Sequence, residues 1–591
     1  MACIRSLLPA VLAIAGSCAA AQNWSHYVRI AGHSLGPANA AAIVSESVHS
    51  NVFGIEVDND IPGRYESFLD PAAKLAAIRQ AAEAAHRAGN KAFVYIAGLE
   101  CITANAASSP HSFFKDHPDW VQRKIDGTPA VFGGGTAFWI RPGDEDVWVS
   151  PFPPEWRKRY MSLVRQIAET GIDGVYVDIP YWMTHFEGWE KSWASFDDYT
   201  VAAFRKETGL DARRDIRLGD ASDPHFRQWI DFRIRTLTDF MAEIAANVRA
   251  GNPQALTIAE IYPGIEETVP RVGADVYQLY NVVDVVAHEY QGMGDSMAAS
   301  KSIDGWFDQM IGMFAFRAFA GGKASWMLNY SWDGEKGVSI PEAMKTLFAA
   351  QLTAGANSWD AKGHVMSESN DLAVRTQVFG WIARHEHTFY DAREPIDPVG
   401  VYFSPQARNY FPAEFTGSFK AAMKSVFASH REFQIVTPRT LARFQGRLLI
   451  VPAARSLSAE ETTLLHQRRA AGMRLYEIPA GEPGAPLAKL LQDFGGQPVS
   501  VSASPATIAQ IARVNGKPSI FLDNFAGIEA KRNPRPTPET GVVVSFPQTA
   551  CSQVRILPFL GEPTGIPSTL QSGKRTATLP AFERSLVAWC D

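Results

Sequence analysis

Eight short apolar runs alternate with helical stretches between about residues 50 and 390, and this order predicts a (β/α)8 barrel. Two further observations favour a barrel. Carboxylates recur where the runs end, the edge at which a barrel places its active site. The rival doubly wound sheet usually carries a glycine-rich phosphate turn after its first strand, and here that position reads Asp58-Asn59-Asp60-Ile61-Pro62. Past about residue 392 the texture changes, predicting a smaller α/β domain over 393–505 and a small β-sandwich over 506–591.

The elements justify themselves in order. NVFGIEVDND (51–60) reads as the first strand, ending in acids. PAAKLAAIRQAAEAAHRAG (71–89) is a helix, with proline in its first turn and glycine at its stop. KAFVYIAG (91–98) is the second strand and VWVSP (147–151) the third. PEWRKRYMSLVRQIAETG (154–171) is an amphipathic helix, again started by proline and stopped by glycine, and it leads into GIDGVYVD, whose apolar residues form a fourth strand. A long helix over about 224–250 precedes LTIAEIYPG (256–264), the fifth strand. VVDVVAHEY (282–290), KASWMLNYSWDG (323–334) and LTAGANSWD (352–360) are the sixth, seventh and eighth, and a helix follows over about 369–388. Beyond the barrel, PVGVYFSP, FQIVTP, LLIVPAARSLS and MRLYEIP are short strands of a parallel sheet, and SIFLDNF and GVVVSFP sit between turns rich in proline and glycine.

The N-terminus has a positive start at Arg5, an apolar stretch from Ser6 to Gly16 and an Ala19-Ala20-Ala21 site. That is a secretory leader, too short for a span, so residues 1–21 are set aside and a secreted or periplasmic bacterial protein is expected. Three cysteines remain. Cys551 and Cys590 share the C-terminal region and either pair or stay as buried thiols, and Cys101 stands apart. A net charge of -6 without a basic run argues against a nucleic-acid binder. No serine-hydrolase elbow, P-loop or zinc-type cysteine pair occurs, so neither cofactor nor metal is expected.

The candidate chemistry lies at the strand ends. Asp178 closes the fourth strand and Glu260 the fifth, so adjacent strands deliver one carboxylate each to the same edge. Glycoside hydrolysis needs such a pair: one carboxylate attacks or positions water, the other protonates the leaving oxygen. Their separation distinguishes retention (about 5–5.5 Å) from inversion (about 6.5–9.5 Å). Asp58 and Asp60 are candidates for sugar hydroxyls, His288 for substrate contact, and Glu289 for contact and as a reserve proton donor. Tyr181, Trp182, Trp326, Asn329, Trp332 and Trp359 lie at or past strand ends and are candidate walls of sugar subsites. Asp173 precedes its strand, at the opposite rim, and reads as a turn residue. The expected partner is a carbohydrate. The alternatives are a non-catalytic carbohydrate-binding barrel and a metal-dependent hydrolase built on Asp58, Asp60 and His288.

HPDWVQRKIDGTPAVFGG (117–134) and PPEWRKRYMSLVRQIAETGIDGVYVDIPYW (153–182) resemble segments of barrel glycoside hydrolases. LLIVPAARSLSAEETTLLHQRRAAGMRL (448–475) is similar to the trimerisation domain of family 42 beta-galactosidases, and the order of barrel, flavodoxin-like domain and small β domain resembles theirs. The resemblance implies glycosidase activity and a homo-oligomer, trimer or dimer. It breaks at the catalytic positions. In that clan an Asn-Glu follows strand 4 and a second Glu follows strand 7, whereas here Asp178 ends the fourth strand and Asn329-Tyr330 the seventh. An Asp after strand 4 with a Glu after strand 5 looks like the alpha-amylase and dextranase arrangement, which implies Asp178 as nucleophile and Glu260 as acid/base.

Overall fold

The computed structural model describes residues 23–591 except 138, 179, 262–268, 290–300, 330–337, 361–371 and 482–483. The leader expected over 1–21 and the candidate Trp332 lie outside the described residues. Eight parallel strands close a barrel: β1 (Ile30–Ser34), β2 (Gly54–Asp58), β3 (Lys91–Ala97), β4 (Gly174–Asp178), β5 (Leu256–Ile261), β6 (Val285–His288), β7 (Ser325–Asn329) and β8 (Asn357–Asp360). Each strand pairs with the next, and β8 closes on β1 through Ile30–Trp359 and Ala31–Asp360.

Two sequence assignments are corrected, and the errors offset one another. The first barrel strand is IAGHS (30–34), which carries too little apolar signal to stand out. A Cβ at its Gly32 would overlap the Glu56 carboxylate oxygen of β2, so any larger residue there must displace that side chain. The expected third strand is instead Glu145–Trp148, which pairs antiparallel with Glu100–Thr103 and Val131–Gly133 in a small sheet outside the barrel. Asp58 therefore ends the second barrel strand, while Asp178 and Glu260 still end the fourth and fifth.

Amphipathic helices pack around the barrel. Three are α1 (Ala72–Arg87), α2 (Pro154–Ala168) and α3 (Pro224–Gly251). α2 begins at a proline, needs no N–H there, and buries Trp156, Tyr160, Leu163, Val164 and Ile167 on one stripe. Residues on the β-strands alternate. Val57, Val94, Ile96, Val175, Val177, Ala259 and Val286 join the outer core with the helices. Ile30, Phe93, Tyr176, Ile258, Ala287, Trp326 and Trp359 fill the lumen.

In the second domain, parallel strands Val399–Tyr402, Phe433–Val436, Leu448–Val451 and Arg474–Glu477 lie in the order second, first, third, fourth, the flavodoxin-like winding. A six-stranded and a four-stranded antiparallel sheet make the closing sandwich. Ser500–Ser502 already pairs in the smaller of these sheets, and Arg393–Glu394 pairs with Thr507–Val514 in the larger. The chain thus enters the sandwich before residue 506. Cys551 and Cys590 form a disulfide in its core, and Cys101 is a buried free thiol.

Candidate active site

Strand alternation decides which acids reach the lumen. Asp178 shares the parity of Tyr176, Glu260 that of Ile258, and Asp58 that of Glu56, so all of them point inward. Val177 is in register with Ala259, which sets Asp178 and Glu260 side by side at the mouth. Their carboxyl groups are hydrogen-bonded to each other. Tyr95 on β3 donates its hydroxyl to Asp178 Oδ2, and Tyr176 donates to Glu260.

The electrostatics assign the proton. Burial raises both groups, because enclosure disfavours the charged form. Hydrogen bonds from Glu260 and Tyr95 then pull Asp178 back down. The charges of Asp178 and Glu289 push Glu260 further up, so it sits well above the usual carboxylate range. Of the two, Glu260 is thus the better holder of a shared proton, with Asp178 its hydrogen-bond partner. Asp58 joins the ring: burial, and then the Asp60 charge, raise it to about 7, and Asp178 adds to the shift. Glu289 follows β6 with the inward parity of Ala287 and is 8% exposed.

Several candidates stand elsewhere. Asp60 has a φ of 60° and turns out of the mouth, where Arg64 and Lys74 lie 3.9 Å away. His288 has the outward parity of Val286. It stacks on Phe316 at 3.8 Å between rings and meets the Tyr280 hydroxyl at 3.2 Å, between barrel and helix. Asp58 faces the lumen, Asp60 turns out of the mouth and His288 faces the helices, so these three do not converge on one point. Among the described residues no group of three or more His, Cys, Asp or Glu is arranged to hold a metal ion.

The aromatic candidates are core residues. Trp182 is fully buried and donates Nε1–H to the Arg233 carbonyl at 3.1 Å. Tyr181 is 1% exposed and packs on Trp148 at 4.6 Å. Trp326 fills the lumen against Phe93 and Trp24 and donates to the Ser25 carbonyl at 3.0 Å. Trp359 lies inside the barrel against Tyr176 and Phe93, with no partner for its Nε1–H among the described residues. Asn329 ends β7 in register with Asp360, and its side chain is outside the described residues.

Four lumen or mouth residues escaped the sequence reading: Glu56, Tyr95, Glu100 and Trp139. The parity of GIEVD places Glu56 on the face of Asp58, and the parity of KAFVYIA places Tyr95 on the face of Phe93. Those two were recoverable. Glu100 and Trp139 belong to the excursion between β3 and β4, which has no periodic signal.

The same architecture occurs in solved structures. Over 96% of this chain and 98% of the other, it superposes on Gan42B, a GH42 beta-galactosidase from G. stearothermophilus, with a TM-score of 0.67 at 10% identity. For the beta-galactosidase of Bacillus circulans sp. alkalophilus the TM-score is 0.64 at 11% identity, covering 95% and 99%. For the exo-carrageenase GH42 of Bacteroides ovatus it is 0.54 at 11% identity, covering 95% and 80%. The three-part fold is thus the one these GH42 proteins have. No family model matches the chain, and no curated protein matches it by sequence.

Proposed function

We propose that this protein is a glycoside hydrolase that retains anomeric configuration, with Asp178 as nucleophile and Glu260 as general acid/base. The observation that carries this reading is the hydrogen-bonded Asp178–Glu260 pair at the barrel mouth, with Glu260 raised further than Asp178. Two carboxyls in direct hydrogen-bond contact stand closer than the about 5–5.5 Å of a retaining pair and much closer than the about 6.5–9.5 Å that an inverting enzyme needs to admit water, so retention is the nearer geometry.

The steps follow from that geometry. Tyr95 fixes Asp178 with one oxygen bound, leaving the carboxylate ionised and oriented. Asp178 attacks the anomeric carbon while Glu260 turns its proton from Asp178 to the glycosidic oxygen, and the alcohol departs. Glu260, now a carboxylate, takes a proton from water as the water displaces Asp178. The GH42 fold supports a carbohydrate substrate, but the catalytic positions depart from the pattern expected of family 42, so galactose is one candidate sugar among several.

A panel of aryl glycosides tests the reading. Asp178→Asn should abolish turnover of every glycoside that the wild type cleaves, with folding intact by circular dichroism. Near-normal turnover would rule the assignment out. The leader-like residues 1–21 and the Cys551–Cys590 disulfide support an exported protein. The GH42-like second domain supports a homo-oligomer, and sedimentation at micromolar concentration should show more than a monomer.

A further inference from the structure

A second carboxyl pair lies on the other side of Asp178 from Glu260. The chain leaves β3 at Gly98, whose N–H bonds the Asp178 carbonyl at 2.9 Å. A Cβ at Gly98 would lie 2.5 Å from that carbonyl oxygen and 3.1 Å from the Pro180 nitrogen, so only glycine permits this approach. Two residues later comes Glu100, close enough for the Asp178 charge to act on it. Glu100 is hydrogen-bonded to buried Asp146, which Trp148 holds with an N–H at 3.2 Å. Trp139 donates Nε1–H to Glu100 Oε1 at 2.9 Å. Its half-buried ring leans on His185 and Phe186, with centroids 6.1 and 5.9 Å away. Burial lowers the His185 imidazole from its ordinary value.

We propose that Glu100, Trp139 and His185 form the wall that recognises the glycone, the sugar whose anomeric carbon Asp178 attacks. This rests on the hydrolase reading above. The side follows from the chemistry. The leaving group must lie beside the acid, Glu260 on β5, so the flank toward β3 faces the sugar that stays. The residue types suit a pyranose: an indole face for the ring's C–H surface, a carboxyl group for vicinal hydroxyls, and an imidazole beside them. The indole N–H fixes both the Trp139 plane and one Glu100 oxygen, so the wall is oriented before sugar arrives. None of the three touches the leaving group in this arrangement, so they set which sugar is accepted.

The test uses 2,4-dinitrophenyl glycosides that differ only in the sugar. This aglycone departs without protonation, so kcat/KM with these substrates reads the sugar side of the site. Glu100→Gln and Trp139→Ala should each lower kcat/KM for the favoured glycoside about 10- to 100-fold, the effect of one lost hydrogen bond to a charged group. Trp139→Phe, which keeps the platform and loses only the N–H, should recover part of the Trp139→Ala loss. Removing single hydroxyls from the sugar should cost the wild type more than it costs Glu100→Gln at the hydroxyl that Glu100 binds. Wild-type kcat/KM in both variants, in folded protein, would overturn the proposal. If the wild type cleaves no glycoside, the catalytic reading fails alone. Binding of free monosaccharides, followed by tryptophan fluorescence in wild type and Trp139→Phe, then decides the wall separately. A sugar-dependent change that is lost in the variant supports it, and the absence of a response to any sugar in the wild type overturns it.

Discussion

At the scale of single residues, the mouth is a ring of carboxyl groups whose protons are unequally held. The proposed mechanism needs Asp178 charged and Glu260 neutral. Both are raised by burial, so the acidic limb of kcat/KM should lie above the ordinary Asp value of 3.8, and the alkaline limb well above that of a free Glu. Glu260→Gln should erase the alkaline limb with an activated aglycone, and turnover of poor leaving groups should fall by ~10²–10⁴-fold. An unchanged pH profile in that variant would assign the proton to another group. The same enclosure has a cost in stability. Asp58 and Glu100 have folded-state values of about 7, above their unfolded values, so the folded chain holds protons that the unfolded chain releases. Their contribution is fully present below pH ~4 and is lost as pH rises through ~7. Asp58→Asn should therefore raise the melting temperature at pH 8 and leave it nearly unchanged at pH 4. Thermal melts at the two pH values check the sign.

At the scale of elements, the two ends of β4 show why acids at strand ends must be read by direction. Asp173, just before the strand, accepts from Lys91 Nζ and His86 Nε2, each at 2.8 Å, and from the Ala92 N–H at 3.0 Å. It latches the bottom rim. Asp173→Ala should destabilise by about 1–3 kcal/mol without altering KM, as measured by urea unfolding and steady-state kinetics. Asp178, five residues on, faces the mouth. Direction along a strand is legible in sequence, and so Asp178 and Glu260 were found. What surrounds them was less legible. Aromatic residues just past a strand end look like sugar platforms, yet Trp182 is drawn into the core by bonds to the Val272 and Arg233 carbonyls, and Tyr181 packs on Trp148 of the excursion sheet. His288 fell one residue off the inward parity. β1 escaped because a glycine, a histidine and a serine replace the apolar residues that mark the other strands.

At the scale of the whole molecule, the order of barrel, flavodoxin-like domain and sandwich was readable because each has its own period: strand and helix alternating, short parallel strands, then strands between tight turns. The excursion between β3 and β4 has no period, and it carries the residues that approach Asp178 from the β3 side. The disulfide closes a 39-residue separation in the sandwich core, and its reduction should cost about 2–4 kcal/mol, seen as a lower denaturant midpoint with dithiothreitol. A fold shared with GH42 proteins at 10–11% identity leaves the chemistry to be argued from the residues themselves. The claim that Asp178 forms a covalent bond to sugar is central. Incubation with the 2-deoxy-2-fluoro glycoside of the favoured sugar, followed by digestion and mass spectrometry, tests it most directly. The account predicts one glycosylated peptide, with the sugar on Asp178. A sugar on Glu260, Glu289 or any other carboxylate, with Asp178 unmodified, would contradict it.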